Sequence, residues 1–504
     1  MTKEITIMPA CTSVYGAPSA ASRYCTIPFE HSSGMPVPIK TLCLALACSA
    51  LLSACQTLPG SGTRDETGGH LSAVALPTHG DLAPATGKPA ESSSSHDLWS
   101  RIRAGMGVPP LEGEAAARVA RHEQFYRRNR SGVMRTFARA RPYLFEIVEA
   151  VEREGMPMEI ALLPAVESAF IPHAHSGASA DGLWQFMAPT GRRFSLKQHM
   201  FQDDRRNVRR ATQAALTYLK TLHRRFDGDW QLAIAAYNCG EGCIEAARRI
   251  AQSKGLTGRL EDLYLNDETS NYVPRLMALS NLVHASSTPD QPLPGVANRP
   301  FFAAVPIRRD IDVARAARLA GMSVDAFKTL NPQHKKPVIV AASNGEILVP
   351  VERRQAVIDG MGNSQGALSS WSVVEVRKRS SLESMAAAHR TSVALLRTAN
   401  AVPEGHLVQV GSSMLVPRVR SSTEIPAHVA ENAVLSTMPA MVATTVSVRR
   451  KDAWASLAGR LGVSLERLRG WNPHAVLKLR PGAIQLVLPV DIAERLAAAR
   501  LLKF

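Results

Sequence analysis

The stretch Ile160-Ala161-Leu162-Leu163-Pro164-Ala165-Val166-Glu167-Ser168 runs through seven apolar residues and ends on a carboxylate and a hydroxyl. Gly182-Leu183-Trp184-Gln185-Phe186-Met187 follows, and later Ala236-Tyr237-Asn238. An apolar run of this length implies a buried segment, so Glu167 stands where the core meets a cleft. A lone glutamate near a helix end is ordinarily a surface residue. Here two later segments add amide and phenol groups in a fixed order. Such a set suits protonation of a glycosidic oxygen. A carboxylic acid does this near neutral pH only where burial keeps its pKa up.

Around this stretch the period is helical. Asp97-Leu98-Trp99 reads as a capped start, and helical spacing continues through Phe137, Leu144, Ile147 and Val151. Pro157 restarts a helix expected to run into Glu167, and residues 208–226 and 229–238 are again helical by period. Residues 97–298 are therefore expected to form one mainly α domain. At 504 residues the chain is long enough for two to four domains.

Beyond Pro300 the texture is repetitive. Ser323 to Asn331, Ser392 to Asn400 and Ser464 to Asn472 each span eight residues. Each is followed by a short apolar strand ending in proline, at Pro350, Pro417 and Pro489. The three units, at 301–352, 369–420 and 442–492, read as strand, helix, helix, strand. The first shows no recognisable opening strand. Residues 351–368 and 421–441 read as linkers, and 493–504 as a basic tail.

Residues Glu159–Phe194 resemble the lytic transglycosylase family. They carry the Glu-Ser pair, Ser176-Gly177-Ala178 and the Gly-Leu-Trp-Gln-Phe-Met segment; Ala236-Tyr237-Asn238 and Tyr272-Val273-Pro274 follow in the family's order. The C-terminal units resemble LysM domains, which bind the N-acetylglucosamine backbone of peptidoglycan. The resemblance implies a multidomain chain: a mainly α, lysozyme-like domain (the SLT domain) followed by small α+β (βααβ) LysM-like repeats. It implies Glu167 as general acid and then base. Ser168 would hold the substrate or the carboxylate, and Gln185 would bind the sugar. Tyr237 and Asn238 would line the cleft, with Tyr237 in reach of Glu167 and Tyr272 on the opposite wall. No second acid falls in these motifs; Asp181 and Glu241 only flank them. This suits intramolecular closure of a 1,6-anhydro ring on the muramic residue, without water. A lysozyme-like hydrolase and a non-catalytic wall-binding scaffold are the alternatives.

The N-terminus sets the compartment. Lys40 precedes the apolar Thr41–Leu52, and Leu52-Ser53-Ala54-Cys55 resembles a bacterial lipobox. Residues 35–54 are expected to be a lipoprotein signal, with initiation at Met35 and 1–34 an over-long start. Cys55 would carry the lipid, and 55–96, rich in Ser, Gly, Pro and Thr, would be a tether. Gln56 lacks the aspartate associated with inner-membrane retention, so the expected location is the periplasm of a Gram-negative cell, anchored to the outer membrane. Cys239 and Cys243 flank Gly240-Glu241-Gly242. A disulfide across this bend and free thiols are both open, and two cysteines without further ligands make no metal site. No cofactor or metal is expected. The net charge of +16 points to polyanionic surroundings. No basic run is interleaved with aromatics, so nucleic acid is not the expected partner; peptidoglycan strands are, with a monomer the expected state.

Overall fold

The computed structural model describes residues 97–287, 292–343, 345–419, 423–450, 452–473, 475 and 479–498. The signal, Cys55, the tether and the end of the basic tail lie outside the described residues. Helices α1 (Leu98–Ala104), α2 (Gly113–Arg128), α3 (Arg130–Ala140) and α4 (Leu144–Arg153) open the first domain. A 3-10 turn at Met158–Leu162 leads into the five-residue α5 (Leu163–Glu167). The continuous helix expected from Pro157 is thus broken in two. Pro164 sits in the first turn of α5, where its missing N–H costs nothing. Helices α6 (Ala188–Arg193), α7 (Val208–Arg225), α8 (Trp230–Cys239), α9 (Glu241–Ser253) and α10 (Asp267–Ala285) follow. Trp99, Phe137, Tyr143, Trp184 and Phe226 are fully buried at the centre. Trp99 meets Phe137 edge-on at 4.9 Å, and its indole N–H donates to the carbonyl of Pro294 at 2.9 Å, tying the start of the domain to its end.

The first C-terminal unit contains β1 (Phe302–Pro306), β2 (Ile311–Asp312), α11 (Val313–Leu319), α12 (Val324–Leu330), β3 (Val338–Ile339) and β4 (Glu346–Pro350). It does have an opening strand, because β1 pairs antiparallel with β4, Phe302 opposite Pro350. Ala303 and Ala304, poor strand formers, hide β1 in the sequence. The stretch expected as a linker after Pro350 contains α13 (Arg354–Gly362), which buries Val357 in the same unit. Gly360 there is a packing residue, since a Cβ would come within 2.6 Å of the Leu319 side chain.

The second unit comprises β5 (Trp371–Glu375), α14 (Leu382–Ala388), α15 (Val393–Asn400), β6 (His406–Val408) and β7 (Ser413–Pro417). The second expected linker also holds elements, α16 (Ala427–Asn432) and β8 (Thr437–Pro439), and β8 pairs with β6. The third unit is β9 (Met441–Val448), α17 (Trp454–Leu461), α18 (Leu465–Trp471) and β10 (Gly482–Pro489), followed by α19 (Val490–Ala498).

The repeated serine and asparagine have structural roles. Ser323, Ser392 and Ser464 cap α12, α15 and α18, each hydroxyl accepting an N–H three residues on at 3.1, 3.1 and 3.2 Å. Asn400 ends the second helix of its unit and latches it to β7. Its amide donates to the carbonyl of Leu415 at 2.8 Å and accepts the Leu415 N–H at 2.7 Å. Asn331 joins Leu348 in the same way, and Asn472 joins Val487.

The first unit is docked on the α domain. Phe302, Leu330 and Leu348 join the α domain's core. Arg209 of α7 pairs with Glu146 and with Glu346, both at 3.0 Å. The Asp203 N–H donates to the Gln333 carbonyl, and the Lys335 N–H to that of Phe201, both at 2.9 Å.

Replacing a latch tests its contribution. Asn400→Ala leaves the buried N–H and C=O of Leu415 unpaired and should cost about 2–4 kcal/mol. Asn472→Ala, at a more open latch, should cost less. Amide exchange in β7 and β10 reads the two losses separately.

Candidate active site

The acidic side chain at the end of α5 is ringed by phenols. The hydroxyl of Tyr272, on α10, donates a hydrogen bond to Oε1 of Glu167. The Glu167 residue keeps partial contact with solvent, while its carboxyl lies deep in the protein. Burial pushes its pKa up to about 7; the Tyr272 hydrogen bond works against that shift, and the nearby charge of Glu268 adds to it. Tyr237 and Tyr272 have pKa values well above the usual phenol range, chiefly through burial and then through Glu167, so both stay protonated.

Three of the residues expected to touch substrate pin the backbone of residues 182–186. The Ser168 hydroxyl donates to the Leu183 carbonyl at 2.9 Å and lies at 3.1 Å from that of Pro164. The Tyr237 hydroxyl donates to the Trp184 carbonyl at 2.9 Å, not to Glu167. The Gln185 amide donates to the carbonyls of Gly182 at 2.8 Å and Ala174 at 3.3 Å. Nη1 of Arg205 adds a bond to the Phe186 carbonyl at 3.2 Å. This turn requires Gly182: its φ is +83°, and a Cβ would lie 2.0 Å from the carbonyl oxygen of Arg205. Trp184 anchors the turn in the core and donates to Thr212 Oγ1 at 3.0 Å.

Helix α8 delivers Tyr237 and Asn238. Asp229 caps its start, accepting the Leu232 N–H at 3.0 Å. Asn238 at the other end meets α10, where its Oδ1 accepts from Thr269 Oγ1 at 2.8 Å and its amide reaches Glu268 at 3.5 Å. Cys239 and Cys243 form a disulfide across the break between α8 and α9, with Cα atoms 5.9 Å apart and Gly240 at φ +89° in the bend.

The carboxylates flanking the motifs are engaged elsewhere. Asp181 is buried and paired with Arg205 and Arg206, each at 2.6 Å. Glu241 pairs with Arg193 at 2.7 Å and accepts the Tyr218 hydroxyl at 2.9 Å; the Arg193 guanidinium is the main cause holding its carboxyl down to about 2. Glu268 is different. It is exposed in the first turn of α10, one helical turn before Tyr272, and its charge bears on Glu167. Motif spacing alone did not single it out. The clue is the capped sequence Asn266-Asp267-Glu268, which places Glu268 four residues before Tyr272 on the same helical face. Among the described residues, no group of three or more His, Cys, Asp or Glu could hold a metal.

The chain directly after Glu167-Ser168 turns unusually. Ala169 and Phe170 both adopt left-handed conformations, φ 50° and 57°. Non-glycine residues pay about 1–3 kcal/mol each for such backbone, and full burial of the Phe170 ring returns roughly 1.5–3 kcal/mol.

Comparison with known proteins finds both family models and relatives that match this chain. Residues 146–257 match the transglycosylase SLT domain. Residues 301–361 match the LysM-like domain of lytic transglycosylase MltD, and 374–417 the LysM domain. The chain is 33% identical to membrane-bound lytic murein transglycosylase D of Escherichia coli (strain K12) over 399 residues, covering 77% of this chain and 84% of that protein. It is 34% identical over 193 residues to a putative tributyltin chloride resistance protein of Alteromonas sp. (strain M-1), covering 38% of this chain and 90% of the relative. Among solved structures, an inactive mutant of lytic transglycosylase Slt from Pseudomonas aeruginosa aligns at 25% identity and TM-score 0.23, covering 30% of this chain and 25% of that one. The 70-kDa soluble lytic transglycosylase in complex with bulgecin A aligns at 18% identity and TM-score 0.27, covering 38% and 33%.

The Tyr272 hydrogen bond favours ionised Glu167, so Tyr272→Phe should raise the Glu167 pKa. Activity that needs the protonated acid is lost as pH rises through that pKa. The alkaline limb of kcat/KM should therefore move to higher pH; a pH–rate profile of Tyr272→Phe checks this, and an unmoved limb would contradict it.

Proposed function

Because the chain belongs to the lytic murein transglycosylase family and is a peptidoglycan lytic transglycosylase, we propose that Glu167 does its chemistry alone, on the β-1,4 bond between N-acetylmuramic acid and N-acetylglucosamine. Protonated Glu167 gives its proton to the glycosidic oxygen as the bond to muramic C1 breaks. The substrate's own N-acetyl group stabilises the cationic sugar. Glu167, now ionised, takes the proton of the muramic C6 hydroxyl, whose oxygen bonds to C1. The 1,6-anhydro ring closes, and Glu167 is again an acid. The nucleophile is already part of the bound sugar, so little entropy is lost in the attack. The observation that carries this reading is the carboxyl held near pKa 7 by burial, with Tyr272 bonded to it.

In this proposal Tyr272 orients Glu167, and Ser168, Gln185 and Tyr237 hold the turn that forms the cleft wall. Asn238, at the cleft edge, meets the sugar. The C-terminal units hold glycan, and a lipid on Cys55 keeps the enzyme at the outer membrane facing the periplasm. Linked weak sites raise the local concentration of glycan at the cleft. Among the described residues no helix is long and apolar enough to cross a membrane.

Glu268 gives the hydrolytic alternative a physical basis, as a second carboxylate able to direct water. Fragment masses decide between the two. Purified peptidoglycan treated with the protein should release fragments with 1,6-anhydromuramic ends, and Glu167→Gln should release them about 10²–10⁴-fold more slowly. Glu268→Gln should keep the anhydro products. It also removes a charge that raises the Glu167 pKa, so the alkaline limb should shift to lower pH. Products heavier by one water would establish a hydrolase. Near wild-type activity of Glu167→Gln would remove Glu167 from the chemistry.

A further inference from the structure

Arg139 lies at the end of α3, beside the turn that follows Glu167. Its helix buries Val133, Phe137 and Ala140 in the core, while the Arg139 side chain is only half-buried. Nε of Arg139 donates to the carbonyl of Ala169 at 2.9 Å, and Nη2 lies 3.3 Å from Thr136 Oγ1, one turn back on the same helix. Burial and then the nearby charge of Arg135 lower the pKa of this guanidinium. A cation is therefore held where its own charge is disfavoured, and outside α3 it donates to the Ala169 backbone carbonyl.

That carbonyl belongs to the most restricted backbone near the site. Ala169 and Phe170 are successive left-handed residues directly after Glu167-Ser168. On one side the turn is closed by the N–H groups of Ser168 and Phe170, which both donate to the Pro164 carbonyl at 3.1 and 3.0 Å, and by the buried Phe170 ring. On the other side Arg139 holds Ala169. Without that hold, alanine at φ 50° has every steric reason to relax toward negative φ, and the relaxation would rotate the end of α5.

We infer that Arg139 is a positioning residue for the reaction: by anchoring the Ala169 carbonyl it fixes the left-handed turn that aims the Glu167 carboxyl into the cleft. The inference rests on Glu167 being the catalytic acid. It does not require Arg139 to touch substrate.

The test is steady-state kinetics of Arg139→Gln on soluble, uncrosslinked glycan strands, with thermal melting as the folding control. A small misplacement of the acid should lower kcat about 10- to 100-fold while KM stays within about threefold. Loosening the turn also lets water reach Glu167. With Tyr272, Tyr237 and Glu268 still around it, the alkaline limb should move to lower pH. Glycine adopts left-handed backbone without an anchor, so Ala169→Gly in the Arg139→Gln background should return several-fold of the lost kcat. Arg139→Lys, which keeps one donor, should lose less than Arg139→Gln. Arg139→Met keeps the aliphatic stem and carries the same expectation as Arg139→Gln should glutamine not fold.

A kcat within about twofold of wild type would overturn the inference. So would a loss that neither Ala169→Gly nor lysine relieves while the limb stays in place. Glu167→Gln is run alongside. Full activity there would refute the acid assignment itself, whereas an inactive Glu167→Gln beside an unaffected Arg139→Gln would refute only the anchor.

Discussion

The structure of the site depends on keeping one carboxyl out of water without giving it a cation. Glu167 ends a segment whose residues Ile160–Leu163 are fully buried, and its bonded neighbour is the neutral phenol of Tyr272. A cation in that place would lock the carboxylate in its ionised form and remove the proton the reaction needs. The guanidinium groups nearby are directed elsewhere. Arg205 and Arg206 neutralise Asp181, and Arg193 neutralises Glu241. The acids that flank the motifs are thereby fixed as structure, and Glu167 is the acid of the site whose pKa burial pushes up to about 7.

Holding that carboxyl requires a rigid wall. The turn at 182–186 has no regular ladder, and side chains from three elements bond its carbonyls: Ser168 from the end of α5, Tyr237 from α8, and Arg205 from the 3-10 turn at Asp204–Arg206, which shares the Phe186 carbonyl with the Asp181 N–H. Buried carbonyls left unpaired would cost stability, which explains why hydroxyls and a guanidinium gather there. The first C-terminal unit braces the same region. Its loop at Gln333 and Lys335 bonds the backbone of Asp203 and Phe201, immediately before Arg205.

Much of this was legible in the sequence where a residue type has one good structural use. The serines and asparagines spaced by eight residues mark a cap and a latch. Gly182 stood out only as the first residue of its motif; that the turn tolerates no Cβ comes from the structure. The apolar run before Glu167 announced burial. Other features depended on tertiary contact. Nothing local distinguishes Ser168 bonding Glu167 from Ser168 bonding Leu183, or Tyr237 from Tyr272 as the partner of the acid. The linkers after Pro350 and Pro417 looked unstructured because glycine, serine and proline interrupt any helical spacing there; their order comes from packing, Gly360 on Leu319 and Ala430 beneath the second unit. Glu268 lay outside every motif and becomes relevant only through the helical face it shares with Tyr272.

The central claim is that burial, with a smaller contribution from the charge of Glu268, holds Glu167 protonated near neutral pH. Carbon-13 NMR titration of the Glu167 side-chain carboxyl, assigned by its loss in Glu167→Gln, measures this directly. The account predicts a midpoint near 7, as burial sets it. A midpoint at the ordinary glutamate value of about 4.3 would contradict it, because the group would then be a carboxylate, not an acid, at the pH where the reaction is assigned to it.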